Sequence, residues 1–252
     1  MFLSNTLKIE EVITKDSPNS STFIFRYLPP TMGLTIGNCL RRILLNSLGG
    51  VAPIGIEISD KNGPVEVELS TLAGVRETTP YLVLNCKEIV IEVSEEKEKE
   101  IFCLELKVEN NDEKEERVIT AADFQKIDGV EIKNPELQLA TLATASPNEK
   151  NPELEIKLYC RKGYGYNSSE THQQYFEGKK NVIVLDADYS PIKVKDSRVN
   201  FQVKPVVTGP EKVEEELSLI IDTTGVISPK KALLKGLEVI SNFINLVQKE
   251  LK

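Results

Sequence analysis

One histidine, four cysteines and no Cys-x-x-Cys pair stand among the 252 residues of this sequence. The cysteines, Cys39, Cys86, Cys103 and Cys160, are far apart. That spacing reads as reduced, mostly buried thiols rather than a zinc site or a disulfide framework. His172 lies in the polar stretch SSETHQQ with no Ser or Cys nucleophile standing out as its partner, so it reads as a loop residue rather than a catalytic base. No apolar run approaches the roughly 18 to 20 residues a membrane helix needs. The opening MFLSNTLKIEEVITKD carries acids early, without an apolar signal core or the Arg/Ser-rich look of a transit peptide. The chain is therefore expected to work in the compartment where it is made. Positive charge is also short: 31 basic against 39 acidic residues leave a net charge of −8. Chains that bind nucleic acid alone usually displace counterions with a positive balance, so only a local basic patch remains open.

The motifs of self-contained chemistry are missing too. There is no GxxxxGK[ST], no HExxH and no GxSxG. Gly163-Tyr-Gly165 is a fragment of GxGxxG, but Ser168 holds the third glycine position and no helix pattern follows. Asp186-Ala-Asp188 would place two acids on one face of a strand, as a metal pair would need. Asp188-Tyr-Ser-Pro also has the form of an acid-led turn, which is the preferred reading.

What is present is the composition of a folded soluble protein, 40% apolar and 28% charged, long enough for one large domain or two modest ones. LKIEEVI and STFIFRYL alternate as strands, and GLTIGNCLRRILL follows as a helix that Gly33 opens and Gly49-Gly50 closes. From 51 to about 175 the pattern is mostly β: GIEISD and VEVELS around Asn62-Gly63-Pro64, then YLVLNCKEIVIEV, IFCLELKVE, ERVITAADF and ELEIKLYC. The charge runs SEEKEKE and NNDEKEER read as solvated hairpin tips, and ATASPNEKNPE as a loop. NVIVLDADYSP, SRVNFQVKPVV and EELSLIIDTTG are further strands. A helix then starts with Ser228 as N-cap and Pro229 in its first turn, running about 34 Å to Leu251.

Both long helices carry more apolar surface than a single sheet needs. Ile36, Leu40, Ile43, Leu44 and Leu48 share one side of the first, and about half the circumference of the last is apolar. Either each helix is buried between layers of one domain, or both also pack against a second subunit, the commonest soluble arrangement being a two-fold dimer. Leu45 falls on the opposite side of the first helix, between Asn38, Arg41 and Arg42. It is either an isolated exposed leucine or an apolar knob rimmed by arginines for docking another protein.

GLTIGNCLRRILLNSLGGVAPIGIEI resembles the first helix of the α subunit of bacterial-type DNA-directed RNA polymerase, with its G-x-T-x-GN-x-LRR-x-LL pattern. STLAGVRETTPYLVLNCKEIVIEV, VITAADF, KGYGY, VLDADYSPIKVKDSRVNFQVKPVVTG and TTGVISPKKAL continue it in the family's order over nearly the whole chain. The resemblance implies an α+β fold in two parts. Residues 1–49 and 176–252 would form a dimerisation domain with two long helices and a small sheet, and 50–175 an inserted β-rich domain. It further implies a homodimer that scaffolds assembly of the β and β′ subunits, which hold the active site. The chain would then be a non-catalytic part of a nucleotidyltransferase, needing no cofactor and no metal, meeting DNA only within the complex and no membrane.

By position, Arg41, Arg42 and Leu45 with Gly74, Val75, Arg76 and Glu77 are carried over as the β-subunit face. Gly163, Tyr164, Gly165 and Tyr166 with Tyr189, Ser190 and Pro191 are carried over as the β′ face. Leu40, Ile43, Leu44, Leu237, Ile240, Phe243, Ile244 and Val247 become the dimer seam. Thr78-Thr79-Pro80-Tyr81 departs from the family's acidic-apolar continuation after GVRE. The chain stops at Lys252, where family members continue to a DNA-binding carboxy-terminal domain, so contacts through that domain are expected to be absent. GVRE, LNCKEIV and ATLA look closest to cyanobacterial and plastid versions, and only seven of the basic residues are arginine. The expected location is therefore a plastid (chloroplast stroma), with a bacterial cytoplasm as the alternative. Two other functions remain open: a homodimeric enzyme with a site shared across subunits, and the equivalent subunit of an archaeal or nuclear-type polymerase.

Overall fold

The computed structural model describes residues 7–13, 17–65, 69–94, 101–147, 149–192, 199–209 and 212–251. Most of SEEKEKE, the middle of VEVELS and the KVKDSR part of the late block lie outside them. The fold is α+β and divides into two compact units: residues up to Gly49 with those from Ser190 onward, and Gly50–Tyr189.

The first unit opens with strands β1 (Lys8–Ile13) and β2 (Ser20–Leu28) and helix α1 (Met32–Asn46). The second unit follows with β3 (Gly49–Asp60), β4 (Gly63–Pro64), α2 (Thr79–Lys87), β5 (Ile91–Val93), β6 (Phe102–Glu109), β7 (Arg117–Thr120), β8 (Val130–Ile132), β9 (Gln138–Leu142), β10 (Glu153–Tyr164), β11 (Tyr166–Asn167), α3 (Ser169–His172), β12 (Ile183–Val184) and β13 (Ala187–Asp188). The chain returns to the first unit with β14 (Val199–Gly209), β15 (Lys212–Asp222) and α4 (Pro229–Glu250).

In the first unit an antiparallel sheet of order β1-β2-β15-β14 carries α1 and α4. Phe23, Phe25, Leu217, Leu219, Ile221 and Val199 alternate along their strands and form one buried cluster with Leu40, Leu44, Leu48, Ala232 and Leu233. Two glycines let α1 approach the sheet. A Cβ on Gly37 would fall 2.5 Å from the Phe201 ring, and one on Gly33 would fall 2.8 Å from Val203. Gly33, Gly37, Leu40 and Leu44 are thus the buried stripe of α1, at spacings that return to one helix face.

The start of α1 has no capping side chain of its own, and Thr31 sits there at φ +73°. Glu215 of β15 supplies the cap from 184 residues away: its carboxylate accepts the Thr31 and Gly33 N–H groups, each at 2.8 Å. These amides have no partner within the helix, and an anion there also meets the positive end of the helix dipole. At α4 the sequence reading holds in detail. Pro229 is in the first turn, and the Ser228 hydroxyl accepts the Lys231 N–H at 3.3 Å.

The second unit centres on a seven-stranded sheet of order β6-β10-β3-β5-β8, with β4 and β12 also on β3. Leu154, Ile156, Leu158 and Cys160 of β10 alternate inward, as do Leu104, Leu106 and Val108 of β6. Two segments differ from the sequence expectation. YLVLNCK, read as strand, is the helix α2. Pro80 sits in its first turn, and Leu82, Val83 and Cys86 are buried while Tyr81 and Leu84 are exposed. A short run that is apolar on all sides fits either period, and contact with the core decides between them. Residues 176–189, placed with the first unit from sequence, stay in the second. Ile183 and Val184 pair with Ile56 and Gly55, and Ala187 and Asp188 pair with Asn167 and Tyr166.

Candidate docking surfaces

On α1, Arg42 is exposed, while Arg41 and Leu45 are half-buried. Leu45 packs against the buried cluster of its own unit, so it is not the isolated knob that a helical projection draws. The polar head presented to solvent here is Arg42, and Asn46 Nδ2 donates to its carbonyl at 3.1 Å, one turn on.

The GVRE loop behaves as a third strand on the β7–β9 pair. Ala143 N–H donates to Gly74 O at 2.9 Å, Arg76 N–H donates to Thr141 O at 3.0 Å, and Val75 bridges Leu142. Gly74 has φ +80°, and a Cβ there would fall 2.9 Å from Pro152. Glu77 faces inward: one carboxylate oxygen accepts the Thr141 N–H at 2.7 Å and the other the Thr141 hydroxyl at 3.2 Å. Arg76 faces outward, loosely paired with Glu116 at 3.4 Å. Within GVRE the arginine is available to a partner, and the glutamate holds the loop.

KGYGY is the end of β10, a turn at Gly165 with φ +61°, and the start of β11. Tyr164 and Tyr166 are 64% and 66% exposed. Beneath them Tyr189 is buried: its ring lies on Gly163, where a Cβ would come within 2.5 Å, and its N–H donates to Gly165 O at 2.9 Å. Lys87 at the end of α2 pairs with Asp186 at 2.7 Å, and the Tyr166 hydroxyl lies 3.4 Å from the same carboxylate. Hydrogen bonding from Lys87 holds the Asp186 carboxyl below its usual range. Asp186 is thus half of an ion pair rather than a free metal ligand. Ser190 is half-buried and Pro191 buried; the Pro191 carbonyl accepts both the Thr224 N–H at 2.9 Å and its hydroxyl at 3.2 Å. Tyr189 therefore supports a surface rather than forming one, and Pro191 is buried in its own unit.

His172, read as a loop residue from sequence, is 1% exposed within α3. Its ring touches Leu185 O and the Tyr189 hydroxyl and no nucleophile. All four cysteines are free; Cys86 and Cys160 are buried, and Cys39 is exposed. Burial pushes the Cys86 thiol up to about 12 and the Cys103 thiol to about 11, which leaves both as unreactive thiols at neutral pH. A cavity of about 480 Å³ in the second unit is lined mainly by apolar side chains such as Leu104, Phe124 and Ile132. Among the described residues no three His, Cys, Asp or Glu side chains converge as a metal set, and no helix is long and apolar enough to cross a membrane.

The candidate dimer seam divides in two. Leu40 and Leu44 are sealed inside their own unit at 0% exposure and offer nothing to a second copy. On α4, burial ends at Gly236, Ile240 is half-buried on the core, and every residue from 241 to 250 is exposed. Leu237, Ile240, Ile244, Val247 and Leu251 recur at alternating spacings of three and four, a seam of period 3.5. Phe243 and Leu246 flank it at 66% and 62% exposure.

The molecule is thus an α+β protein interrupted by a β-rich insertion, whose notable residues build surfaces. Residues 56–190 match the family described as the RNA polymerase Rpb3/RpoA insert domain. The chain is 31% identical over 239 residues to the DNA-directed RNA polymerase subunit alpha of Bacillus velezensis, covering 95% of this chain and 69% of that relative. The chain belongs to the α-subunit family of bacterial-type DNA-directed RNA polymerases. Its coarse role follows: it is a subunit of a transcribing polymerase.

Proposed function

We propose that the chain is the homodimeric scaffold on which the polymerase β and β′ subunits assemble, contributing no catalytic group itself. The observation that carries this reading is α4. A 22-residue helix about 33 Å long holds its first two turns in the core and leaves an apolar seam uncovered over the rest. Apolar area removed from water is worth about 25 cal/mol per Å², so a self-complementary partner is the economical cover. Ile43, Leu237, Ile240, Phe243, Ile244 and Val247 make up the proposed seam. Arg42, with Arg41 and Leu45 beside it, faces β, as does Arg76 of the GVRE loop; Tyr164 and Tyr166 face β′. DNA is met only through the assembled enzyme. Low arginine usage and the GVRE, LNCKEIV and ATLA blocks support a plastid source, although the relative quoted above is bacterial.

The test is light scattering of the purified chain, followed by mixing with cognate β. The expected results are a dimer mass and co-elution with β at micromolar concentration. A monomer that ignores β would overturn the proposal. A stable homodimer would also set the chain apart from the equivalent subunit of archaeal or nuclear-type polymerases, whose partner is a different small subunit.

A further inference from the structure

His172 is buried beside Tyr189, and its hydrogen bonds run to a single segment. Nδ1 lies 2.7 Å from the Leu185 carbonyl oxygen, and Nε2 lies 3.0 Å from the Tyr189 hydroxyl. A carbonyl oxygen only accepts, so Nδ1 carries the proton and donates to Leu185. In the neutral ring Nε2 is then a lone pair and accepts the Tyr189 O–H. The two rings meet edge to face at 88°, with centroids 6.2 Å apart. Burial pushes the Tyr189 phenol up to about 12, which keeps it a donor at neutral pH. His172 thus spans both ends of residues 185–189 from α3.

Tyr189 passes that restraint on. Its ring occupies the space over Gly163, and its N–H holds Gly165 O. Gly163 and Gly165 flank Tyr164, and Gly165 separates it from Tyr166, so the turn that aims both tyrosines is fixed from below by Tyr189. The other groups facing this cluster already have partners. The Arg161 guanidinium lies 4.6 Å from the centre of the Tyr175 ring and donates to the Tyr175 hydroxyl at 2.6 Å, while the Tyr175 ring lies 6.5 Å from His172. Tyr175 and Arg161 close the side of the cluster, and the two His172 bonds add to the Lys87–Asp186 pair, the Leu185 N–H bond to Ile54 O and the β11–β13 pairing in holding residues 185–189.

The geometry points to His172 as a positioning residue: acting through Tyr189, it pre-shapes the Gly163–Tyr166 turn for docking a large polymerase subunit. This rests on the reading that Tyr164 and Tyr166 face β′. Pre-organisation matters because a side chain that must be ordered on binding subtracts its lost rotamer freedom from affinity.

The test uses the full chain with cognate β and β′ and three variants. His172→Phe keeps a ring but makes neither bond. His172→Gln can donate its amide to Leu185 and accept from Tyr189. Tyr164→Ala/Tyr166→Ala removes the displayed side chains. We expect His172→Phe to speed amide exchange across 163–167 and to weaken β′ capture about tenfold, the loss of two ordered side chains. Dimer mass and β capture should stay unchanged, and His172→Gln should restore both affected readouts. Unchanged exchange in His172→Phe overturns the inference whatever β′ does. So does unchanged β′ capture by His172→Phe when the tyrosine pair variant has lost it. If the tyrosine pair variant still captures β′ as wild type, the docking reading itself fails. The exchange data then report separately on whether His172 shapes the turn.

Discussion

At the scale of single residues, the informative side chains are those whose partners are remote in sequence. Glu215 stands in for the missing cap of α1. Glu215→Ala should destabilise the chain by about 1 to 2 kcal/mol, the usual effect of losing a helix cap, read as a lower urea midpoint. Arg42 has the opposite character: it is exposed, and its guanidinium has no hydrogen-bond or ion-pair partner among the described residues. Arg42→Ala should leave folding and dimer mass unchanged while weakening β capture, by about 2 to 5 kcal/mol if the guanidinium is a buried charged contact in the complex. Equal β affinity of variant and wild type would remove Arg42 from the interface.

Asp186 gives a pH signature. Its carboxyl is held below its usual range chiefly by hydrogen bonding from Lys87. A carboxyl whose folded pKa is lowered adds stability above its unfolded pKa, about 3.9, and loses that contribution as pH falls through the folded value. The stability gap between wild type and Asp186→Asn should therefore be present at about pH 5 and shrink steadily below about pH 3.9. The pair is partly open to solvent, which keeps the gap small. A gap that grows on acidification would contradict the assignment.

At the scale of elements, the two ends of α4 behave differently. Ala232, Leu233 and Gly236 fasten its first turns, with Gly236 letting Leu44 of α1 come within 3.3 Å of where a Cβ would be. Beyond Ile240 the seam is exposed. Phe243→Glu lies on that open part, so it should leave the monomer folded and break the dimer by forcing an unpaired charge into the seam. Far-UV circular dichroism together with sedimentation reads both properties. A folded variant that still sediments as a dimer would remove Phe243 from the seam. The element least visible in the sequence was α2. Tyr81, Leu82, Val83 and Leu84 are consecutive apolar residues, and such a run carries neither the period of a strand nor that of a helix. Strong alternation in ELEIKLYC and a Ser-Pro start at 228 left no such ambiguity, and β10 and α4 lie where the sequence puts them.

At the scale of the whole molecule, the chain divides into a unit built from both ends and a unit inserted between them. The family relation makes it a polymerase subunit. The seam on α4 leads to the further expectation that two copies associate before any large subunit is bound. That order is checked by mixing labelled and unlabelled dimers with and without β and following exchange of copies. Exchange that β abolishes would fit a preformed dimer sealed by assembly. Copies that associate only when β is present would contradict it.

The amino-acid sequence by itself determined the periods and the punctuation. Alternating apolar residues specified the long strands, Ser228-Pro229 specified where α4 begins, and the ordered blocks from GLTIGN to TTGVISPKKAL specified the family. Those signals are local, because a period or a cap needs only neighbouring residues. The tertiary structure decided which apolar faces are spent and which polar groups are shared. It sealed Leu40 and Leu44, drew Leu45 onto the core, turned Glu77 inward, sent Glu215 to a distant helix end and buried His172 under a turn. Each of these outcomes depends on which segments meet in space, and that is set by sheet order and packing rather than by the residues on either side.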